Sequence, residues 1–193
     1  MHGKRLTKGG TGRRGGIMII RKASEEDIMA VEAIYDHLHT LEEAGTLSIG
    51  WIRNIYPTRR TAEEALEKGE LFVLEDGGKV TAAARINQEQ VPEYADAAWD
   101  YLCSPDEVMV LHTLVVDPQV SGRGYGTAFV NFYEEYALHC GCPYLRMDTN
   151  EKNTAARRLY ARLGYREASV VPCVFNGISG VQLVCLEKCL KRQ

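Results

Sequence analysis

The segment Leu111-His112-Thr113-Leu114-Val115-Val116-Asp117-Pro118-Gln119-Val120-Ser121-Gly122-Arg123-Gly124-Tyr125-Gly126 constrains this chain more than any other. Its apolar, β-branched run suits a strand and stops at Asp117-Pro118, where proline cannot continue the ladder. Glycines then occupy alternate positions, and an amphipathic stretch follows. The order is strand, glycine-rich turn, helix start. Glycine lets a backbone approach a ligand closely, and the first turn of a helix offers unpaired N–H groups at the positive end of its dipole. The turn is therefore a cradle for a pyrophosphate.

Two other phosphate motifs are excluded. A P-loop needs Lys and then Ser or Thr after its last glycine, whereas Thr127 and Ala128 follow Gly126. The dinucleotide pattern G-x-G-x-x-G occurs only at Gly10-Thr11-Gly12-Arg13-Arg14-Gly15. There no strand precedes it, and Ile17 to Ile20 behind it reads as a strand, so the copy lacks its physical context.

The 193 residues, 45% of them hydrophobic, suffice for one full core. No apolar stretch reaches the length of a membrane span, and the N-terminus lacks the apolar segment of a signal peptide. A cytoplasmic protein without membrane partners is expected. Cys103, Cys140, Cys142, Cys173, Cys185 and Cys189 include no C-x-x-C spacing, and several sit in apolar runs, so they read as reduced thiols with no metal. Residues 1–17 hold Lys4, Arg5, Lys8, Arg13 and Arg14 and no acid, leaving 18 basic against 26 acidic residues in the rest. This glycine-rich tail has little to bury, and a disordered extension over 1–17 ahead of one domain over 18–193 is expected. The acidic body argues against a nucleic-acid arm, and Met18 reads as a natural start.

The pattern predicts a strand over Met18 to Lys22 and a helix opened by Ser24 and Asp27. A capping box of Thr61 and Glu64 opens a second helix ending near Gly69. A hairpin pairs Leu71–Glu75 with Val80–Ile86 across Asp76-Gly77-Gly78. Val108–Val116 is the next strand, followed by the glycine turn, a helix over about 124–140, a strand over Tyr144–Thr149 and a helix over Asn153–Leu163. Strands near Ala168–Phe175 and Val181–Glu187 close a mixed sheet. The roughly twenty residues between Ile86 and Val108 are acidic and aromatic. They suit either a cationic amine or a surface-packed turn.

Gln119-x-x-Gly122-x-Gly124-x-Gly126 after a strand is followed, about thirty residues later, by Asn153-x-x-Ala156-x-x-Leu159-Tyr160-x-x-x-Gly164-Tyr165. This ordered pair resembles the motifs of the GNAT superfamily of acetyl-CoA-dependent N-acetyltransferases, over roughly residues 18–193. The resemblance implies an α/β (α+β) domain, a mixed and mostly antiparallel twisted sheet flanked by helices, with splayed central strands. It implies acetyl-CoA as cosubstrate and direct attack by a primary amine in a ternary complex. A small-molecule amine is favoured over a peptide or protein N-terminus or lysine. A non-catalytic CoA-binding sensor is the alternative of another class, which loss of Tyr160 would have favoured. A homodimer is left open.

Acetyl transfer requires that the amine lose a proton, that the thioester carbonyl be polarised and that the thiolate be protonated or stabilised. The resemblance assigns carbonyl and pantetheine contacts to the backbone of Leu114, Val115 and Val116. It assigns pyrophosphate to the N–H groups of Gly122, Arg123, Gly124, Tyr125, Gly126 and Thr127, and adds Gln119 and Asn153 to the cofactor site. Tyr160 falls where family members commonly carry a tyrosine that protonates the leaving thiolate, and a phenol holds its proton at neutral pH. His112, two residues before Leu114, is expected on the same sheet face. Leu-His-x-Leu-x-Val resembles the arylalkylamine acetyltransferases, where a strand histidine relays the amine's proton, and histidine titrates near working pH. Glu107 and Asp148 are the other candidate bases.

Overall fold

The structure is a computed structural model that describes residues 4–6 and 18–191. Strands β1 (Lys4–Leu6), β2 (Met18–Lys22), β3 (Leu71–Asp76), β4 (Lys79–Asn87), β5 (Val108–Val116), β6 (Tyr144–Asn150), β7 (Arg166–Phe175) and β8 (Ile178–Cys189) form one sheet. Their order is β1-β2-β3-β4-β5-β6-β8-β7. Only β5 and β6 run parallel; the other neighbours are antiparallel. Among the described residues four α-helices accompany the sheet: α1 (Ile28–Glu43), α2 (Arg59–Glu67), α3 (Tyr125–His139) and α4 (Thr154–Arg162).

Alternation along the strands divides the helices between two faces. Phe72 and Leu74 of β3 pack with Phe129, Val130 and Tyr133 of α3 and Tyr160 of α4. Leu71 and Val73, pointing the other way, pack with Val31, Ile34 and Leu38 of α1 and Ala62 and Ala65 of α2. A third cluster joins Val108 and Val110 to Leu183 and Cys185 of β8 and to Tyr94. Fully burying a side chain such as Phe129 contributes roughly 1.5–3 kcal/mol before the ordering cost.

The helix starts follow local chemistry. Ser24 and Asp27 form a capping box that opens a short 3-10 turn leading into α1. The second helix begins earlier than the pattern implied. Thr58 is its cap, and Thr61 is the partner whose hydroxyl accepts from the Thr58 N–H at 3.0 Å. Arg59 and Arg60 are thereby inside α2, paired four residues on with Glu63 and Glu64. Of the basic tail, Lys4–Leu6 runs antiparallel to β2. The remainder of residues 1–17 lies outside the described residues.

Two features create room for a site. Pairing of β5 with β6 ends at Leu111↔Met147, while β6 continues against β8 as far as Asn150↔Leu183. Beyond Leu111 the edge of β5 facing β6 therefore has no strand partner among the described residues. At the same point β5 bulges against β4, where the register moves from Arg85↔His112 to Ala83↔Val115. Inside this bulge Thr113 adopts φ of 51°. For a β-branched residue that conformation costs about 1–3 kcal/mol, which surrounding contacts must offset.

Candidate active site

Thr113 is held by the α1–α2 connection. Its hydroxyl shares a short hydrogen bond with the Tyr56 hydroxyl, and Tyr56 meets Trp51 edge to face with centroids 6.1 Å apart. The extra residue inverts the alternation of β5. Met109 and Leu111, before the bulge, pack toward α3. After it, Leu114 and Val116 face that same side, while Val115 is buried with α1. His112 and Leu114 consequently leave opposite faces of the sheet, contrary to the expectation from unbroken period-2 spacing.

Each of the two lines a different cavity. One of about 70 Å³ lies in the split between β5 and β6, with Leu114, Asn153, Ala156 and Tyr160 in its wall. Another of about 340 Å³ is walled by Glu64 of α2, Lys68 at that helix's C-cap, Arg85 of β4 and His112 of β5. Tyr56, Thr113, Asp148, Phe175 and Asn176 belong to both walls. They form a neck between two compartments.

The glycine turn joins β5 to α3. Gly122 and Gly124 have φ of 79° and 82°, and a Cβ at either would meet nothing within 4 Å. Backbone conformation, rather than crowding within the chain, is what calls for glycine there. Gly124 caps α3, and its carbonyl accepts from Ala128 N at 2.9 Å. The N–H groups of Tyr125, Gly126 and Thr127 thus lie in the first turn, without a carbonyl partner inside the helix. Gly126 is tightly placed in another way, since a Cβ there would sit 3.1 Å from Leu159 Cδ2 of α4 and that side chain would have to give by a few tenths of an ångström. The space beside Gly122 and Gly124 is open, so the turn suits an anionic group such as a pyrophosphate.

The remaining side chains divide by role. Tyr125 turns inward and donates to Asp76 Oδ2 at 2.6 Å, leaving only its backbone for a ligand. Arg123 is exposed. Gln119 Nε2 approaches His37 Nε2 at 3.3 Å, and Asp117 Oδ1 accepts from Gln119 N at 3.0 Å. Asn153 caps α4 through Oδ1, which accepts from Ala156 N at 3.2 Å. Tyr160 is buried at 5% exposure, and burial, then nearby Asp148, pushes its phenol pKa upward.

The candidate bases are now separable. Glu107 caps a short 3-10 turn and pairs with Lys191 at 3.0 Å, and it lines neither cavity. His112 Nε2 lies 2.9 Å from Asn87 Oδ1. The Asn87 amide is oriented by its Nδ2, which donates to Glu70 Oε2 at 2.9 Å. Oδ1 therefore faces the ring, and Nε2 carries the hydrogen. Burial, followed by the positive charge of Arg85, pushes His112 down to about 4. Asp148 moves the opposite way. Burial raises its carboxyl to about 7, against the pull of the Tyr94 hydroxyl, with Glu93 adding to the rise.

Tyr56, Thr113 and Tyr94 were not visible as site residues in the sequence. Nothing in a run of branched residues announces a bulge, and aromatic residues in connections more often pack than reach a carboxylate. Only the acidic, aromatic character of residues 87–107 hinted at a role. Among the described residues no helix is long and apolar enough to span a membrane, and no cluster of three or more His, Cys, Asp or Glu side chains is placed to hold a metal.

The model for the acetyltransferase (GNAT) family matches residues 31–165. Two uncharacterized N-acetyltransferases of Methanocaldococcus jannaschii are similar in sequence. One is 37% identical over 76 residues, 39% of this chain, a match spanning about a third (34%) of that relative's length. The other is 27% identical over 156 residues, covering 80% of this chain and 82% of the relative. A GNAT-family acetyltransferase of Streptococcus agalactiae 2603 has a similar fold, with a TM-score of 0.76 at 22% identity over 91% of this chain and 96% of that one. A Salmonella typhimurium protein solved with its cofactor acetyl-CoA superposes with a TM-score of 0.65 at 21% identity, over 91% and 95% of the two chains.

Proposed function

The chain belongs to the acetyltransferase (GNAT) family, and from that premise we propose that it moves an acetyl group from acetyl-CoA to a primary amine by direct attack in a ternary complex. The observation that carries this reading is the neck: two compartments meet at Thr113 and Asp148, one holding Tyr160 and Asn153 and the other His112 and Arg85. Direct transfer needs both substrates present together, with reacting atoms about 3–3.5 Å apart. Adjoining compartments supply that arrangement.

When bound, acetyl-CoA supplies an activated acetyl thioester. The N–H groups of Tyr125, Gly126 and Thr127, with the backbone of Gly122, Arg123 and Gly124, hold its pyrophosphate. The unpaired edge of β5 across Leu114, Val115 and Val116 offers hydrogen bonds to an extended amide-bearing arm and to the carbonyl oxygen. Asn153 and Gln119 border this groove, and Arg123 adds charge at its mouth. Tyr160 holds the proton needed at the departing sulfur.

Asp148 replaces His112 as the base we favour. A base works best when its pKa lies near the operating pH. The carboxyl at about 7 meets that condition, while the imidazole at about 4 does not. His112 then lines the acceptor compartment as a neutral ring. The walled cavity of about 340 Å³, with charges of both signs from Glu64, Lys68 and Arg85, supports a small amine over a protein terminus.

Release of free thiol from acetyl-CoA, followed with a panel of small amines and short peptides, tests the reading. Turnover with a small amine and weaker turnover with peptides is expected. Binding of acetyl-CoA without turnover on any amine would identify a sensor instead.

A further inference from the structure

The connection between β4 and β5 does more than cross the sheet. Near its middle Tyr94, in a 3-10 turn over Pro92–Asp96, is 3% exposed. Its hydroxyl donates to Asp148 Oδ2 at 2.8 Å. The ring already has apolar company in Val108, Val110 and Leu183, so a phenylalanine would fill the site equally well. What the phenol adds is a hydrogen bond to a carboxylate in the neck.

Tyr94 is held from both sides. Gln90, before it, accepts a short hydrogen bond from Arg146 Nη1. Trp99, after it, donates from Nε1 to the Tyr94 carbonyl at 2.9 Å and meets its ring at 71° with centroids 5.1 Å apart. The Arg146 guanidinium lies 4.1 Å from the centre of the Trp99 ring. Further on, Glu187, 1% exposed, accepts from Asp100 N at 2.8 Å. A loop that merely covered the sheet would not need such anchors around one hydroxyl.

We infer that Tyr94 is a positioning residue, supplied by the 87–107 connection to fix the Asp148 carboxylate at the neck and to stabilise its ionised form. The inference rests on the proposal that Asp148 is the base. Oδ2 is engaged by the phenol, and Oδ1 has no hydrogen-bond partner among the described residues, so one oxygen anchors the group while the other stays available. A donor to a carboxylate favours its ionised form, so removing the donor raises the carboxyl pKa. The other titratable groups around Asp148 are Tyr56, Tyr160, Cys173, Cys185 and Glu93. His112, Arg85, Glu64 and Lys68 stand across the larger cavity. All of them remain when Tyr94 alone is changed.

Tyr94→Phe and Asp148→Asn are compared with wild type in kcat/KM against pH, alongside acetyl-CoA affinity by calorimetry. A hydrogen bond to a charged group is worth enough to move the acidic limb of Tyr94→Phe upward by about one to two pH units. Activity should fall near neutral pH and recover in alkali, with acetyl-CoA affinity unchanged. In the Asp148→Asn background, Tyr94→Phe should cost nothing further. Titration of the Asp148 carboxyl carbon by NMR reads the same shift without turnover. If Asp148→Asn removes the limb but Tyr94→Phe leaves the limb and the carbon titration where they were, the inference about Tyr94 fails. If Asp148→Asn keeps both the limb and full activity, the choice of base fails instead.

Discussion

Tyr160 and Asp148 divide the proton work, and each can be isolated by one substitution. Tyr160→Phe keeps the buried ring and removes the donor, so kcat should drop by roughly 10²–10⁴-fold. Acetyl-CoA affinity should hardly move; a folded variant with wild-type kcat would make Tyr160 a packing residue. Asp148 carries a stability signature as well. Its carboxyl is raised to about 7, so the folded chain keeps a proton that the unfolded chain loses near pH 4. Stability from this group is full below that point and declines until the pH passes about 7. Three units at about 1.4 kcal/mol each set an upper bound of about 4 kcal/mol on the penalty. Asp148→Asn should therefore raise the melting temperature at pH 8, leave it nearly unchanged at pH 4, and abolish the turnover seen at pH 8. Equal melting shifts at the two pH values would show that the carboxyl is not held protonated by the fold.

Among the elements, the glycine turn and β5 teach different lessons. Gly124→Val should weaken acetyl-CoA binding, because a branched residue resists φ of 82° and its side chain would occupy the open space the ligand needs. Calorimetry on a folded variant with wild-type affinity would remove the turn from the cofactor site. The strand, the turn and the start of α3 were legible because apolar runs, Asp-Pro and glycine each act locally. Strands β2 and β5 have the bounds their patterns implied. The bulge was not legible, since threonine at positive φ opposes its own preference and is held there by Tyr56, 57 residues away in sequence. For the same reason the same-face pairing of His112 with Leu114 failed. The early start of α2 was missed by choosing Thr61 over Thr58 as its cap, although both threonines were in view.

For the whole molecule, the sheet order places β1 at the edge and separates it from β5 by β2, β3 and β4. Starting the protein at Met18 should leave acetyl-CoA affinity unchanged. It should lower the melting temperature by no more than about 2–4 °C, the shift that about 1 kcal/mol produces in a chain of this size. A larger loss would show that residues 1–17 belong to the folded unit. The helices on both faces, the parallel pair and the opening beyond Leu111 follow from the arrangement that the paired motifs implied. The route of residues 87–107 did not, because burial of Tyr94 depends on β6 and β8, which lie far along the chain.

The bulge at Thr113 splits one strand into two halves with independent alternation. Ahead of it His112 looks into the larger compartment; behind it Leu114 looks into the smaller. An inserted residue normally scrambles everything downstream, yet here the inversion lets a single nine-residue strand serve two clients. Changes at His112 can retune one doorway while Leu114 and Val116 keep the other intact. A library confined to the first half of β5 and the facing side of α2 is thus a route to new acceptors that leaves the donor's seat undisturbed.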